Sequence, residues 1–207
     1  MAITTVGILA LQGDFQKHAE ALERLKVCVR QVKSQEELQS ADALVIPGGE
    51  STTIGKLLVR FGLLRQLAAS IEEGLPVFGT CAGLILLAGR IIGYNQPSLS
   101  VLDVAVARNA YGSQVMSFET DLSIPVLGTQ PLRAVFIRAP IIKAIGPEVE
   151  VLASFEGNPV LVRQKQILAA SFHPELTDDL RLHQYFLNIA EEAQGLRAEG
   201  LRQPLFR

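Results

Sequence analysis

Residues 77–88 read VFGTCAGLILLA, an apolar strand-like run that becomes an apolar helix-like run across one cysteine set between two glycines. Gly79-Thr80-Cys81-Ala82-Gly83 fits the G-x-nucleophile-x-G pattern of a strand-to-helix elbow, with cysteine as the displayed side chain. The demand is steric: a residue on so tight a turn sits in a strained conformation, so both flanks must be small. A helix N-terminus also favours a thiolate through its free N–H groups and its dipole. The N–H of Ala82 would be one natural oxyanion donor. The same five letters would serve close packing of a helix on a strand, so the pentapeptide alone leaves both readings open.

Outward from the elbow, strand and helix signals alternate. TVGILAL (5–11) reads as a strand, and DFQKHAEALERLK (14–26) as a helix with Phe15, Ala19, Leu22 and Leu25 at helical spacing and Asp14 placed to cap. VCVRQV (27–32) reads as a strand with Cys28 in the core, and ADALVIPGG (41–49) as a strand ending in a Pro-Gly-Gly turn. A helix is expected from Thr52 to Glu73, a strand at LPVFGTC (75–81) and a helix at AGLILLAGRI (82–91). Such alternation predicts a parallel sheet with right-handed crossovers. The second half reads as closely spaced strands finishing the same sheet, with EGNP (156–159) as a hairpin turn. DDLRLHQYFLNIAEEAQ (178–194) reads as an amphipathic helix capped by Asp178 or Asp179. The expectation is one α/β domain over residues 1–207.

Composition narrows the class. A chain of 207 residues can bury a sizeable core. The formal charge of −2 is spread along the chain, with no basic block for nucleic acid and no polybasic or strongly amphipathic segment for a membrane surface. The apolar runs fall far short of the roughly 20 residues a membrane span needs. MAITTVGILALQGDF has no positive region before its apolar run and reads as a first strand, not a signal peptide. Two cysteines argue against a disulfide framework and for a reducing, cytoplasmic setting. Three histidines without ligand spacing leave little material for a metal site, and no cofactor is expected.

A cysteine nucleophile needs a base. His18 and His183 fall within helical patterns beside charged residues and read as solvated surface side chains. His173 closes the buried run ILAASFHPEL (167–176), on the same kind of sheet edge as Cys81. Pro174 disfavours a helical conformation at His173, and in an extended segment Glu175 faces the same side. Glu175 can then fix the imidazole tautomer, as the third member of a triad does. In VIPGGESTT (45–53), the glycines expose N–H groups suited to the other half of an oxyanion hole, and Glu50, Ser51 and Thr52 begin the next helix. The spacing is not that of a phosphate loop.

With these pieces in order, the chain resembles the class I triad glutamine amidotransferases, and within them the PdxT family of pyridoxal 5′-phosphate synthase glutaminases. The closer match rests on GILALQGDFQKH (7–18), LVIPGGESTTIGKLL (44–58), FGTCAGLILLA (78–88), ARNAYGSQVMSFE (107–119), FIRAP (136–140) and ASFHPELTDDLRLHQYF (170–186). The resemblance implies an α/β three-layer sandwich with a mixed, largely parallel central sheet. It implies Cys81 as nucleophile with His173 and Glu175, and backbone oxyanion donors at Gly49 and Ala82. Glutamine-binding positions fall on Gly49, Glu50, Ser51, Arg108, Ile137 and Arg138, and a partner-contact position on Gln12. A basic residue often follows the NAYG motif in this family, where this chain has Ser113. The implied activity is glutamine hydrolysis, with ammonia passed to a synthase subunit (PdxS) in a large hetero-oligomer. The rivals are an amidotransferase of another pathway, a sensing subunit with an idle site, and a cysteine hydrolase on a similar scaffold.

Overall fold

The computed structural model describes residues 5–108 and 117–200, with backbone alone for 196–200. Ser113 and the NAYGSQVM segment lie outside the described residues. The first half alternates β1 (Thr5–Leu9), α1 (Phe15–Arg24), β2 (Cys28–Val32), α2 (Gln35–Gln39), β3 (Ala43–Ile46), α3 (Ser51–Arg60), α4 (Leu63–Glu72), β4 (Val77–Thr80) and α5 (Ala82–Leu87). There follow β5 (Ala88–Ile92), β6 (Leu102–Ala107), β7 (Ser117–Leu122), β8 (Leu132–Ile137), β9 (Ile141–Ile145), β10 (Glu150–Phe155), β11 (Asn158–Gln164), β12 (Ile167–Ala170) and α6 (Arg181–Gly200).

A seven-stranded sheet runs β10-β11-β12-β4-β3-β1-β2. Its β12, β4, β3, β1 and β2 are parallel, while β10 and β11 join antiparallel. Strands β3, β4 and β12 are buried along their whole length, as expected where helices cover both faces of a parallel sheet. Period-two alternation divides the core. Leu44, Ile46, Val77 and Ala169 pack with Ile54, Leu58, Leu67, Ile71 and Leu84 of α3, α4 and α5. Ala43, Val45, Phe78, Leu168 and Ala170 face the other way, against Leu22 of α1, Phe186 and Ala190 of α6, and Phe136 of β8. These are the layers of the expected mixed α/β sandwich. The loops that leave the C-terminal ends of β1, β3, β4 and β12 therefore share one edge of the sheet.

Several local expectations are corrected. The helix read from Thr52 to Glu73 is two helices, broken at Gly62, whose φ of 70° lies in the left-handed region. The helix read over 82–91 stops at Leu87; Gly89 and the β-branched Ile91 and Ile92 favour extension, and Ala88–Ile92 pairs with β6. The second half does not all complete the main sheet: β5-β6-β9 and β7-β8 form two separate small sheets. Asp14 makes no side-chain cap to α1, and α6 runs beyond residue 194 to Gly200. Asp179, not Asp178, meets the start of α6, accepting from the Arg181 N–H at 3.0 Å. Cys28 is exposed, because β2 is an edge strand. The EGNP turn holds: Phe155 pairs with Asn158, and Glu156 and Gly157 both have positive φ, the signature of a two-residue hairpin loop. Among the described residues no helix is long and apolar enough to cross a membrane.

Candidate active site

The elbow follows from the close approach of three elements. Cys81 stands between β4 and α5 with φ 48° and ψ −98°, a conformation of the kind that costs about 1–3 kcal/mol for a non-glycine residue. Its N–H donates to Ala170 O of β12 at 2.8 Å, which pins the strained residue to the neighbouring strand. A Cβ on Gly83 would come within 2.2 Å of Ile46 O, and one on Gly79 within 2.5 Å of Leu87 Cδ1. Both glycines are thus required by the close packing of α5 on β3 and β4 around Cys81.

His173 leaves β12 and is held by its N–H, which donates to Val135 O of β8 at 2.8 Å. Its Nδ1 lies 2.7 Å from Glu175 Oε1, and its ring interacts with Cys81, whose Sγ donates to Ile137 O at 3.8 Å. Glu175 sits in a 3-10 turn, Pro174–Leu176, and not in the extended segment expected; the turn delivers the carboxylate beneath the ring. Burial opposes a charge on His173, but the hydrogen bonds with Cys81 and Glu175 prevail and push its pKa up to about 10. Burial likewise works against a charge on Glu175, yet His18 and His173 together hold its carboxyl below the usual range.

An open pocket of about 510 Å³ lies over Cys81. Its lining brings together Gln12, Gly49, Glu50, Ser51, Cys81, Arg108, Ile137, Arg138 and His173, joined by Gly13, Asp14, Gly48 and Ile85. Ala82 and Glu175 are buried and lie outside that lining. The loop after β1 straps the loop after β3: Gln12 Oε1 accepts from the Glu50 N–H at 2.8 Å, and the Asp14 N–H donates to Gly48 O at 3.2 Å. Glu50 caps α3, accepting from Thr52 N at 3.1 Å and Thr53 N at 2.7 Å. Partial burial raises its pKa less than these bonds lower it, and the carboxyl is held down at about 2.

Sequence reasoning missed several neighbours. Arg108 donates to Thr52 Oγ1 at 2.8 Å, to Gln96 Oε1 and to Glu50 Oε1, with Tyr94 stacked 4.5 Å from its guanidinium carbon. Neither Gln96 nor Tyr94 sits in a pattern that marks it. His18 and His183, expected on the surface, are 0% exposed. His18 Nδ1 meets His183 Nε2 at 3.0 Å, and His18 Nε2 meets Thr80 Oγ1 at 3.1 Å. Burial pushes both imidazoles down, His183 to about 3. Their signal is positional: His18 lies on one helix face with Phe15 and Leu22, and His183 with Phe186, Leu187 and Ala190. Among the described residues no cluster of three His, Cys, Asp or Glu could hold a metal ion.

The SNO glutamine amidotransferase family matches residues 8–192. The chain belongs to that family. It is 58% identical over 182 residues to the pyridoxal 5′-phosphate synthase subunit PdxT of Pelotomaculum thermopropionicum, covering 88% of this chain and 93% of that one. With PdxT of Thermotoga neapolitana it shares 55% over 186 residues, covering 90% and 99%. A crystal structure of a glutamine amidotransferase, 54% identical, superimposes with a TM-score of 0.86 over 90% of this chain and 98% of that one. A chain of PurLQS from Thermotoga maritima shares the fold at 17% identity, with a TM-score of 0.62 over 91% and 99%. The mixed α/β sandwich is therefore that of a glutamine amidotransferase and extends to distant chains, while sequence identity ties this chain to the SNO branch.

Proposed function

We propose that the chain is the glutaminase subunit of a pyridoxal 5′-phosphate synthase, acting as one amidotransferase domain over residues 1–207 in the cytoplasm. It hydrolyses L-glutamine to L-glutamate and ammonia and hands the ammonia to the synthase subunit (PdxS) of a hetero-oligomer for vitamin B6 synthesis. The observation that carries the reading is Cys81, strained on its elbow in one pocket with a His173 that Glu175 holds at 2.7 Å.

The chemistry follows from that line. The Cys81 thiolate attacks the side-chain carboxamide carbon, and the N–H groups of Gly49 and Ala82 receive the developing oxyanion. His173 begins as the imidazolium, so it holds the proton that the departing nitrogen needs. The C–N bond breaks, ammonia leaves, and a glutamyl thioester remains on Cys81. Neutral His173 then takes a proton from water as the oxygen attacks the thioester. Collapse expels the thiolate and releases glutamate. Arg108 and Arg138, both on the pocket wall, offer charge-assisted hydrogen bonds to the substrate α-carboxylate. Glu50, Ser51 and Ile137 shape the remaining wall. Gln12 is the partner contact: it already holds the Glu50 N–H, so a partner chain that displaces it resets the loop bearing Gly49.

Glutamate release tests the reading. Mixing with a pyridoxal 5′-phosphate synthase subunit should stimulate glutaminase activity and co-purify the two chains. No stimulation and no complex would sink the pathway assignment while leaving the hydrolase chemistry standing.

A further inference from the structure

Behind the line of Cys81, His173 and Glu175 lie three fully buried polar side chains that the steps above do not use: His18, Thr80 and His183. Glu175 has two oxygens, and only Oε1 is engaged by His173. Its Oε2 is buried and makes no hydrogen bond of ordinary geometry among the described residues. His18 Nε2 faces it at 3.3 Å. The last torsion of a glutamate side chain is broad, so a carboxylate held at one oxygen is free to rock.

The geometry points to His18 as a positioning residue whose Nε2–H, set against Glu175 Oε2 at 3.3 Å, steadies the carboxylate that orients His173. This rests on the triad reading given above. One proton placement suits the neighbours of His18 best. With the proton on Nε2, His18 gives it to Thr80 Oγ1 at 3.1 Å and presents its positive edge to Glu175 Oε2 at 3.3 Å, while its Nδ1 accepts from His183 Nε2–H at 3.0 Å. With the proton on Nδ1, a lone pair would instead face a carboxylate oxygen at 3.3 Å. The charged and titratable groups facing His18 are Glu175, His173, Asp14 and His183. Burial outweighs the attraction of Glu175 and Asp14, and the His173 charge adds to it, so the ring stays neutral and remains a donor without cancelling the charge on Glu175. Thr80 immediately precedes Cys81, so the same imidazole ties the acid of the triad to the elbow that carries its nucleophile.

The test uses the glutaminase mixed with its synthase subunit. His18→Phe keeps the ring and removes both nitrogens; His18→Gln returns an amide N–H near the Nε2 position. A buried carboxylate oxygen stripped of its donor is worth about 10- to 100-fold in rate. The Phe variant should therefore lose about that much kcat with little change in KM. The acid limb of kcat/KM, where Glu175 takes up its proton, should move up by about one pH unit. The Gln variant should recover most of both. Long-range ¹⁵N spectra of the wild-type chain should place the His18 proton on Nε2, and this holds the test open if the Phe variant does not fold. An Nδ1 proton overturns the inference, as does a folded Phe variant with kcat within twofold of wild type and an unmoved acid limb. Wild-type chain inactive with its partner would overturn the triad reading and the inference with it; active wild type beside an indifferent variant overturns the inference alone.

Discussion

Gly48→Ala is the smallest change that should separate the triad from its pocket. Gly48 does not have positive φ, so alanine fits its backbone and any effect comes from contact. The added Cβ would lie 2.3 Å from His173 Cε1 and 2.9 Å from Nδ1. Carbon atoms in contact sit about 3.5 Å apart or more, so the ring or the loop must give by about 1.2 Å. The ring has little freedom, being held by Glu175 at 2.7 Å, with the backbone N–H of His173 tied to Val135 O at 2.8 Å. A misplacement of about 1 Å in a reacting group costs about 100-fold in rate. Overpacking of this kind also costs about 1–3 kcal/mol of stability. Glutamate release with the synthase present should fall about 100-fold, and alkylation of Cys81 should slow in parallel. Melting should fall by only a few degrees. A variant with kcat and alkylation rate within twofold of wild type would refute the claim that Gly48 is glycine to make room for His173.

Two further predictions turn on protons. Glu50→Ala removes the cap of α3 and should cost about 1 kcal/mol, with a rise in KM as Arg108 loses a partner. Because the Glu50 carboxyl is held at about 2 instead of 4.5, the wild-type advantage should be full above pH 4.5 and vanish as pH falls through about 2; a constant difference across that range in thermal melts would contradict the cap. His173, raised from 6.5 to about 10, should contribute stability that is fully present below pH 6.5 and is lost as pH rises through about 10. Its NMR titration should lie far above neutrality and drop in Cys81→Ala; a wild-type midpoint near 6.5 would remove the imidazolium from the mechanism.

The parallel strands, the elbow and the pairing of His173 with Glu175 are legible because each is written in local chemistry: apolar runs, small flanks, and an acid two residues from the imidazole; the 3-10 turn that makes the pairing is not. The buried imidazoles are not. The charged residues adjoining His18 and His183 in sequence give them the look of surface side chains, whereas helical position puts both on the apolar face. Only tertiary packing brings α1 and α6 together behind β4, and only that meeting makes two histidines satisfy each other away from water. Cys28 misleads in the opposite sense: VCVRQV has the letters of an interior strand, but the strand order places it at an edge. Gln96 and Tyr94 reach Arg108 through a loop without periodicity, so no pattern could have marked them.

The central claim is that Cys81 holds the glutamyl group. Acid quench of the chain turning over glutamine with its synthase subunit, followed by peptide mass spectrometry, should find a glutamyl thioester on Cys81. It should be absent from Cys81→Ser and from the exposed Cys28. A glutamyl adduct on Cys28, or undiminished turnover in Cys81→Ser, would contradict the account.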